Sequence, residues 1–388
     1  MWARWGFALE LCPRFSVTIE PVTDPTNNLP EYSSPLLQRP GAVELQDTNP
    51  LLDARGVAWH YGDPLGEQRP VDDTGVVVDR SHRRVLRVSG EDAATFLNTL
   101  LSQKLDDAPE GFSASALDLD IQGHILHHAD VSIVDGTHYL DVPSTQGDSF
   151  AGFLRRMVFW SKVEVEDTDL GVFTVLGGGE LPGTGAAVTR EVDWAGPARR
   201  DLLVERGELG RVVDTLGDAG FRLAGLMTFT AERVKALEPE LAADLDDKAI
   251  AHEVPGFIGR GRHAGAVHLS KGCYRGQETV ARVENLGRSP RLLVLLHLDG
   301  SAPQDPVAGD ELAANGRRVG RLGTVVHDRD YGPVALGLVK RSALDAGQLS
   351  VISPERPEVS AVVDHDSLPV DEGEKAGRAA IDRLRSGR

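Results

Sequence analysis

One short segment of the chain combines several side chains that can do chemistry. It reads Lys271-Gly272-Cys273-Tyr274-Arg275-Gly276-Gln277-Glu278 and holds one of only two cysteines in 388 residues. Positive charge beside a thiol favours the thiolate, so Lys271 and Arg275 predict a reactive Cys273. The two glycines permit a tight turn or the close approach of a ligand. The composition therefore predicts a reactive-thiol site, with Cys273 and Lys271 as its chemical groups.

The residue types leave several roles open for this thiol. Cys273 can form a mixed disulfide, hold a persulfide or supply one ligand of a cluster shared with a partner. A buried core cysteine is the alternative, but it explains neither the flanking charges nor the glycines. Lys271 can act on the thiol or contact a ligand carboxylate. Gln277 and Glu278 are predicted to orient the loop by hydrogen bonds to its backbone, with Gly272, Tyr274 and Gly276 as further support.

Composition restricts the function classes. A hydrophobic fraction of 41% with 26% charged residues is typical of a soluble globular protein. The formal net charge of -18 disfavours nucleic-acid and anionic-membrane binding. No apolar run reaches the length of a membrane span. Because two cysteines without a CxxC motif form neither a disulfide framework nor a four-thiolate site, we predict a cytoplasmic protein without a metal site.

The elements that must position the thiol segment follow from periodicity and turn residues. Residues 1–54, rich in proline and polar residues, are predicted to be a flexible N-terminal extension. Residues 55–286 alternate strands and helices, which indicates an α+β region. Residues 287–366 contain short strands separated by turns, which indicates a small β-barrel. Residues 367–388 form a charged tail.

The individual elements are predicted as follows. Strands are expected at 75–79, 83–88, 116–119, 125–133, 139–142, 163–165, 172–176 and 202–204, and in the barrel at 291–298, 317–326, 334–339, 349–352 and 359–363. Helices are expected after Ser89, from Ser144 or Thr145, over 210–217, and from Thr228 or Thr230 to Leu237. Trp160 is expected to pack in the core. Because alternate strand residues face opposite sides, His127 and His128 cannot both line one pocket.

The thiol segment resembles the motif of the YgfZ-type folate-binding proteins, Lys-Gly-Cys-Tyr/Phe-x-Gly-Gln-Glu. Val280, Arg282, Gly287 and Arg288 continue the pattern, and the resemblance extends over roughly 75–363. This family is a paralogue of the glycine-cleavage T-protein, the tetrahydrofolate-dependent aminomethyltransferase. The resemblance implies the T-protein fold, in which two intertwined α+β folate-binding lobes surround a central pocket beside a β-barrel.

Two segments depart from the aminomethyltransferase pattern. His127 and His128 stand where that enzyme has carboxylates, and a neutral histidine supplies no fixed negative charge for a cationic intermediate. Lys235 stands where the T-protein pattern, Arg-x-Glu-x-Gly beginning at Arg233, has the glutamate that grips the pterin. Glu232 and Glu238 are the nearby carboxylates. We therefore expect aminomethyl transfer to be lost.

The resemblance implies an accessory factor for assembling or repairing iron–sulfur clusters in client enzymes, including one that modifies tRNA. Its implied ligand is tetrahydrofolate or a derivative, and a transient iron–sulfur cluster shared with a partner through Cys273 is the second candidate cofactor. Its implied partners are iron–sulfur client or carrier proteins. The candidate folate contacts are Arg233, Lys235, Arg282, Arg288 and His127, the two later arginines through the glutamate tail. The alternatives are a tetrahydrofolate-dependent aminomethyl or one-carbon transferase, and a non-catalytic folate-responsive binding protein.

Overall fold

A computed structural model of the protein describes residues 32–46 and 49–369. The first part of the predicted extension and the tail from residue 370 lie outside the described residues. The part of the extension that is described contacts the first sheet, because Leu36 is buried and the Ser34 hydroxyl donates to Asp79. Among the described residues no helix combines the length and apolarity needed to cross a bilayer.

The strands in chain order are β1 (Val76–Asp79), β2 (Arg84–Ser89), β3 (Ser113–Leu119), β4 (Ile125–Val134), β5 (Thr137–Val142), β6 (Glu164–Asp167), β7 (Leu170–Leu176), β8 (Val188–Val192), β9 (Arg199–Glu205), β10 (Arg222–Ala224), β11 (Arg291–Leu298), β12 (Glu311–Ala314), β13 (Arg317–Asp328), β14 (Gly332–Lys340), β15 (Gln348–Ile352) and β16 (Val359–Val363). The helices are α1 (Ala93–Leu100), α2 (Gly147–Met157), α3 (Leu209–Asp218), α4 (Leu226–Lys235), α5 (Leu241–Asp244) and α6 (Gln277–Leu286).

The strands before residue 287 form two five-stranded sheets whose chain segments interleave. The first sheet has the order β10-β1-β7-β9-β8 and the second has the order β3-β4-β5-β2-β6. The chain therefore leaves the first sheet after β1, builds the second, and returns at β7. An apolar cluster that includes Val85, Val172 and Leu203 draws on both sheets.

Each sheet buries one face under amphipathic helices. Helices α1 and α2 contribute Phe96, Leu97, Phe150 and Leu154 to the core that contains the second sheet. Helix α3 contributes Val212, Val213 and Leu216 to the core that contains the first sheet. The apolar residues recur at helical spacing, so burying this stripe supplies most of the stability of each helix.

The strands after residue 287 close into a six-stranded barrel in the order β11-β14-β13-β12-β15-β16. Helix α4 packs on its outside, since Ala231 and Val234 share a core cluster with Leu336 and Leu338 of β14. Arg233 of α4 lies between this helix and the barrel and is fully buried. It pairs with Asp244 at 2.9 Å and donates to Thr324 Oγ1 of β13 at 2.7 Å.

The predicted α+β fold with a C-terminal β-barrel is confirmed, whereas some elements were missed or misplaced. Strand β12 was missed because its short alanine-containing sequence has weak strand propensity. Helix α6 was missed because it begins inside the thiol segment. Trp160 was predicted to lie in the core, but it is 98% exposed. The predicted domain boundaries stay predictions.

Replacing Arg233 with methionine should leave Asp244 buried without its charged partner. We expect the free energy of unfolding to fall by about 3–5 kcal/mol, the usual cost of breaking a buried ion pair from one side. Denaturant unfolding measures this change. Arg318→Met is the control, because the side chain of Arg318 is 66% exposed and its loss should cost less than about 1 kcal/mol. Equal losses of unfolding free energy in both variants would contradict the role of Arg233 as the buried partner of Asp244.

Candidate functional site

A cavity of about 380 Å³ lies where β3 and β4 of the second sheet meet β8 of the first and the end of α4. Its wall is formed by residues 113–115, 128, 130, 131, 190–195, 236–239, 254, 256, 257 and 263–265. Its size lies within the range of about 300–1,000 Å³ that is usual for small-molecule sites. The wall combines aromatic and charged side chains, so the cavity can hold a small, partly polar ligand.

A carboxylate stands in the cavity wall beside a buried guanidinium group. Asp130 lies 3.7 Å from Arg190 and accepts a hydrogen bond from Ser115 Oγ at 2.7 Å. Burial alone would raise the pKa of Asp130, but the positive charges of Arg190 and neighbouring groups lower it below its usual value. Asp130 is therefore an anion at neutral pH. Of the two histidines on β4, only His128 is in the wall, as the alternation of strand residues predicts, and Asp130 supplies a carboxylate beside it.

His128 contributes a second polar group to the same wall. It lies on the same face of β4 as Asp130, since the two residues are two positions apart. Burial lowers the pKa of His128, so its imidazole is neutral at pH 7. Its Nε2 atom is buried and has no hydrogen-bond partner among the described residues. This atom can therefore accept or donate a hydrogen bond to a ligand in the cavity.

The end of α4 also reaches the cavity. Leu237 has a φ of +57°, in the left-handed region that costs a branched residue about 1–2 kcal/mol. This turn places Glu238 in the wall, where its carboxylate accepts two hydrogen bonds from Arg199 at 2.8 and 2.9 Å. Of the carboxylates near Lys235, Glu238 lines the cavity, whereas Glu232 pairs with Lys235 at 3.0 Å.

The residues proposed as folate contacts lie away from this wall. Arg233 is held by Asp244 and Thr324, and Lys235 pairs with Asp328 at 2.8 Å as well as with Glu232. Arg282 and Arg288 are exposed, on α6 and just after it. His127 faces away from the cavity that His128 lines. The structure thus brings none of these five residues to the described cavity wall, and their role in folate binding stays a prediction.

The thiol segment is anchored to α1 by Lys271. Its ammonium group donates to the carbonyl oxygens of Asn98, Leu101 and Gln103 at the C-terminal end of that helix. The positive charge also suits the negative end of the helix dipole. Lys271 lies 4.8 Å from the ring of Tyr274. The observed contacts of Lys271 therefore hold the loop in place, while Cys273 is exposed to solvent.

Arg275 makes the second anchor. Its guanidinium group pairs with Asp118 of β3 at 2.5 Å, donates to the carbonyl oxygen of Leu119 and lies 4.9 Å from the ring of Phe153. The side chain of Asp118 is fully buried. Arg275, two positions after Cys273, thus ties the thiol segment to the end of β3.

One glycine allows the thiol segment to approach the turn between β3 and β4. Gly276 has a φ of +81°, and a Cβ there would lie 2.6 Å from the carbonyl oxygen of Asp120. Thr279 Oγ1 donates to the carbonyl oxygen of Gln122 at 2.6 Å. Gln277 Oε1 accepts from the backbone N–H of Tyr274 at 3.2 Å. The loop is therefore supported on both sides, and Glu278 is exposed in the first turn of α6.

Beneath this loop, three polar residues form a hydrogen-bonded chain. His127 Nδ1 lies 2.8 Å from Asp118 Oδ2, and His127 Nε2 lies 2.9 Å from Ser149 Oγ. A bulge at Leu126 sets this arrangement, because Asp118 pairs with His127 whereas Leu119 pairs with Ile125. Sequence reasoning missed Asp118 and Ser149. The sequence signal for Asp118 was that of an acidic residue on the strand before the histidine run. Ser149 had no comparable signal.

The comparisons place this architecture among known proteins. No family model matches the chain. An Arabidopsis thaliana protein named "Putative transferase At1g60990, chloroplastic" is 26% identical over 314 residues, which cover 73% of this chain and 69% of that protein. The crystal structure of the glycine cleavage system aminomethyltransferase T from Bartonella henselae matches with a TM-score of 0.69 at 17% identity, covering 88% of this chain and 97% of that one. The chain has the aminomethyltransferase T fold.

The part of the chain that the structure describes contains no preformed metal site. No group of three or more His, Cys, Asp or Glu side chains there is arranged to hold a metal ion. Cys12 lies outside the described residues. The described residues thus offer Cys273 no preformed set of further ligands.

The anchor at Lys271 predicts a pH dependence of stability. Burial lowers the pKa of Lys271 to about 8 in the folded protein, against about 10.4 in an unfolded chain. Between these values the unfolded chain binds a proton that the folded chain does not, so the contribution of Lys271 to stability rises with pH. The free energy of unfolding of the wild type minus that of Lys271→Met should increase from pH 8 to about pH 10.4.

The matched control is Lys162→Met, since the side chain of Lys162 is 70% exposed. Its difference from the wild type should stay level over the same range. A level difference for Lys271→Met as well would show that the ammonium group is not desolvated in the loop.

Proposed function

We propose that the protein is an accessory factor for assembling or repairing iron–sulfur clusters in client enzymes. In this proposal it binds a reduced folate in the cavity and uses Cys273 toward a client or carrier protein. The observation that carries the proposal is the exposed thiol on a loop whose two flanking cations contact α1 and Asp118. The resemblance of the thiol segment to YgfZ-type proteins and the T-protein fold support it.

The cavity wall fits the pterin end of a folate. A 2-aminopyrimidinone presents adjacent N–H groups that a carboxylate accepts in pairs, and Glu238 and Asp130 are carboxylates of the wall. Trp194 and Phe257 offer aromatic surface, and the unpartnered Nε2 atom of His128 offers a further contact. A reduced folate, when bound, supplies one-carbon chemistry.

A tetrahydrofolate-dependent one-carbon transferase is the second candidate function. The observation in its favour is Asp130, which gives the cavity the fixed negative charge that the two histidines lack. The similarity to a plant protein named as a transferase also supports it. Under this alternative, product formation from an aminomethylated carrier protein and tetrahydrofolate would be robust and would survive loss of Cys273.

Complementation of cells that lack a factor of this class tests the thiol. The Cys273→Ser chain should lose most of the restored activity of iron–sulfur enzymes, because a hydroxyl is a much poorer cluster ligand than a thiolate and forms no disulfide or persulfide. Cys12→Ser, which removes the other cysteine, is the matched control and should restore activity like the wild type. Full restoration by Cys273→Ser would exclude the proposed role of the thiol.

Calorimetric titration with tetrahydrofolate tests the cavity. Glu238→Gln should weaken binding about 10-fold or more, because a charge-assisted hydrogen bond contributes roughly 1.5–3 kcal/mol. Arg282→Ala, on the exposed face of α6, should bind like the wild type. If only Arg282→Ala weakens binding, the ligand lies outside the cavity and the assignment of the wall is wrong.

A further inference from the structure

We propose that Ser149, His127 and Asp118 form a second site, a nucleophilic acyl-transfer centre that accepts short-chain carboxylic esters. The three side chains form one continuous chain of hydrogen bonds, 2.9 Å from Ser149 Oγ to His127 Nε2 and 2.8 Å from His127 Nδ1 to Asp118 Oδ2. A nucleophile within hydrogen-bond reach of a base that a third group orients is the geometric signature of such centres.

The surroundings assign the proton positions on His127. Asp118 is fully buried, and its Oδ1 atom accepts from Arg275 while its Oδ2 atom lies 2.8 Å from His127 Nδ1. A carboxylate oxygen accepts hydrogen bonds, so this contact orients the Nδ1–H of the imidazole toward Asp118. Nε2 is then the free acceptor and faces Ser149. Asp118 and Arg275 therefore act as positioning residues for the base.

Ser149 is placed to act as the nucleophile. It is exposed, whereas His127 is nearly buried, so a substrate can reach the hydroxyl while the base stays shielded. The hydroxyl is also within donating distance of the carbonyl oxygen of Gln146, at 3.0 Å, so this oxygen and His127 Nε2 are alternative acceptors for its single proton. Ser149 is the third residue of α2, which has 11 residues, and the positive end of the helix dipole favours a developing oxyanion there.

Two aromatic rings pack beside the base. The rings of Phe150 and Phe153 lie 5.2 and 6.3 Å from the imidazole ring of His127, measured between centroids. The cavity described above lies on the other side of β4 and is lined by His128 instead. The acyl-transfer centre therefore lies outside the cavity of the proposed function, although it shares Asp118 and Arg275 with the anchor of the thiol segment.

The reaction follows from these groups and water alone. Ser149 Oγ attacks the ester carbonyl carbon as its proton passes to His127 Nε2, and the alcohol leaves with that proton. Water then gives a proton to Nε2 and attacks the acyl-serine, which releases the carboxylic acid. The Ser149 Oγ–acyl bond breaks, and the proton on Nε2 returns to Ser149. The net change is the hydrolysis of one ester.

Covalent labelling of the full chain tests the proposal. The purified protein is incubated with a fluorophosphonate, an electrophile for activated serines, and the modified residue is identified by peptide mass spectrometry. We expect stoichiometric labelling of Ser149. His127→Gln should slow it about 100-fold or more, which is the contribution of a general base. With p-nitrophenyl acetate, an acetyl group should accumulate on Ser149.

Ser144→Ala is the matched control, because the Ser144 hydroxyl is exposed and bonded to a carboxylate, Asp53, but to no imidazole. Labelling should be unchanged in it and in Cys273→Ser. Conversely, Ser149→Ala should still complement iron–sulfur enzymes, so failure of one proposal is distinguishable from failure of the other. An unlabelled Ser149 in the wild type, or equal labelling rates in the wild type and a folded His127→Gln variant, would overturn the proposal.

Discussion

Buried ion pairs join the two sheets, and the position of the candidate cavity depends on these pairs. Arg190 of β8 pairs with Asp141 of β5 at 2.6 Å and with Asp201 of β9 at 3.0 Å, and none of these side chains is more than 3% exposed. Desolvating each ion costs several kcal/mol, which only close pairing and further hydrogen bonds offset. The sheets are therefore held at the spacing that completes these pairs. Because Asp130 and Arg190 also line the cavity, its charge is determined by the contact between the sheets.

On the other side of β4, the buried carboxylate of Asp118 also holds separate segments of the chain together. One of its carboxylate oxygens accepts from Arg275 and the other faces His127. The thiol segment and the chain of polar groups ending at Ser149 are thus coupled through one buried anion. A change at Asp118 is expected to disturb both, whereas changes at Cys273 and Ser149 remain separable.

The fold class could be predicted from the sequence because the signals for strands, turns and helices are local. Strand and turn residues repeat along the barrel, and apolar residues recur at helical spacing in α2 and α3. The thiol segment was recognisable for the same reason, since its eight residues are contiguous. Helix α6 was missed because its first turn coincides with that segment, and Trp160 was misplaced because an aromatic residue is usually buried.

The sequence by itself determined which chemical groups the chain carries: a single thiol between two cations, and paired histidines on a strand. Only the tertiary structure decided what those groups face. The bulge at Leu126 places His127 opposite Asp118 and His128 in the cavity wall. The left-handed turn at Leu237 brings Glu238, rather than Lys235, into the same wall. Register, bulges and ion pairing depend on contacts between distant segments, and neighbouring residues in the chain do not specify them.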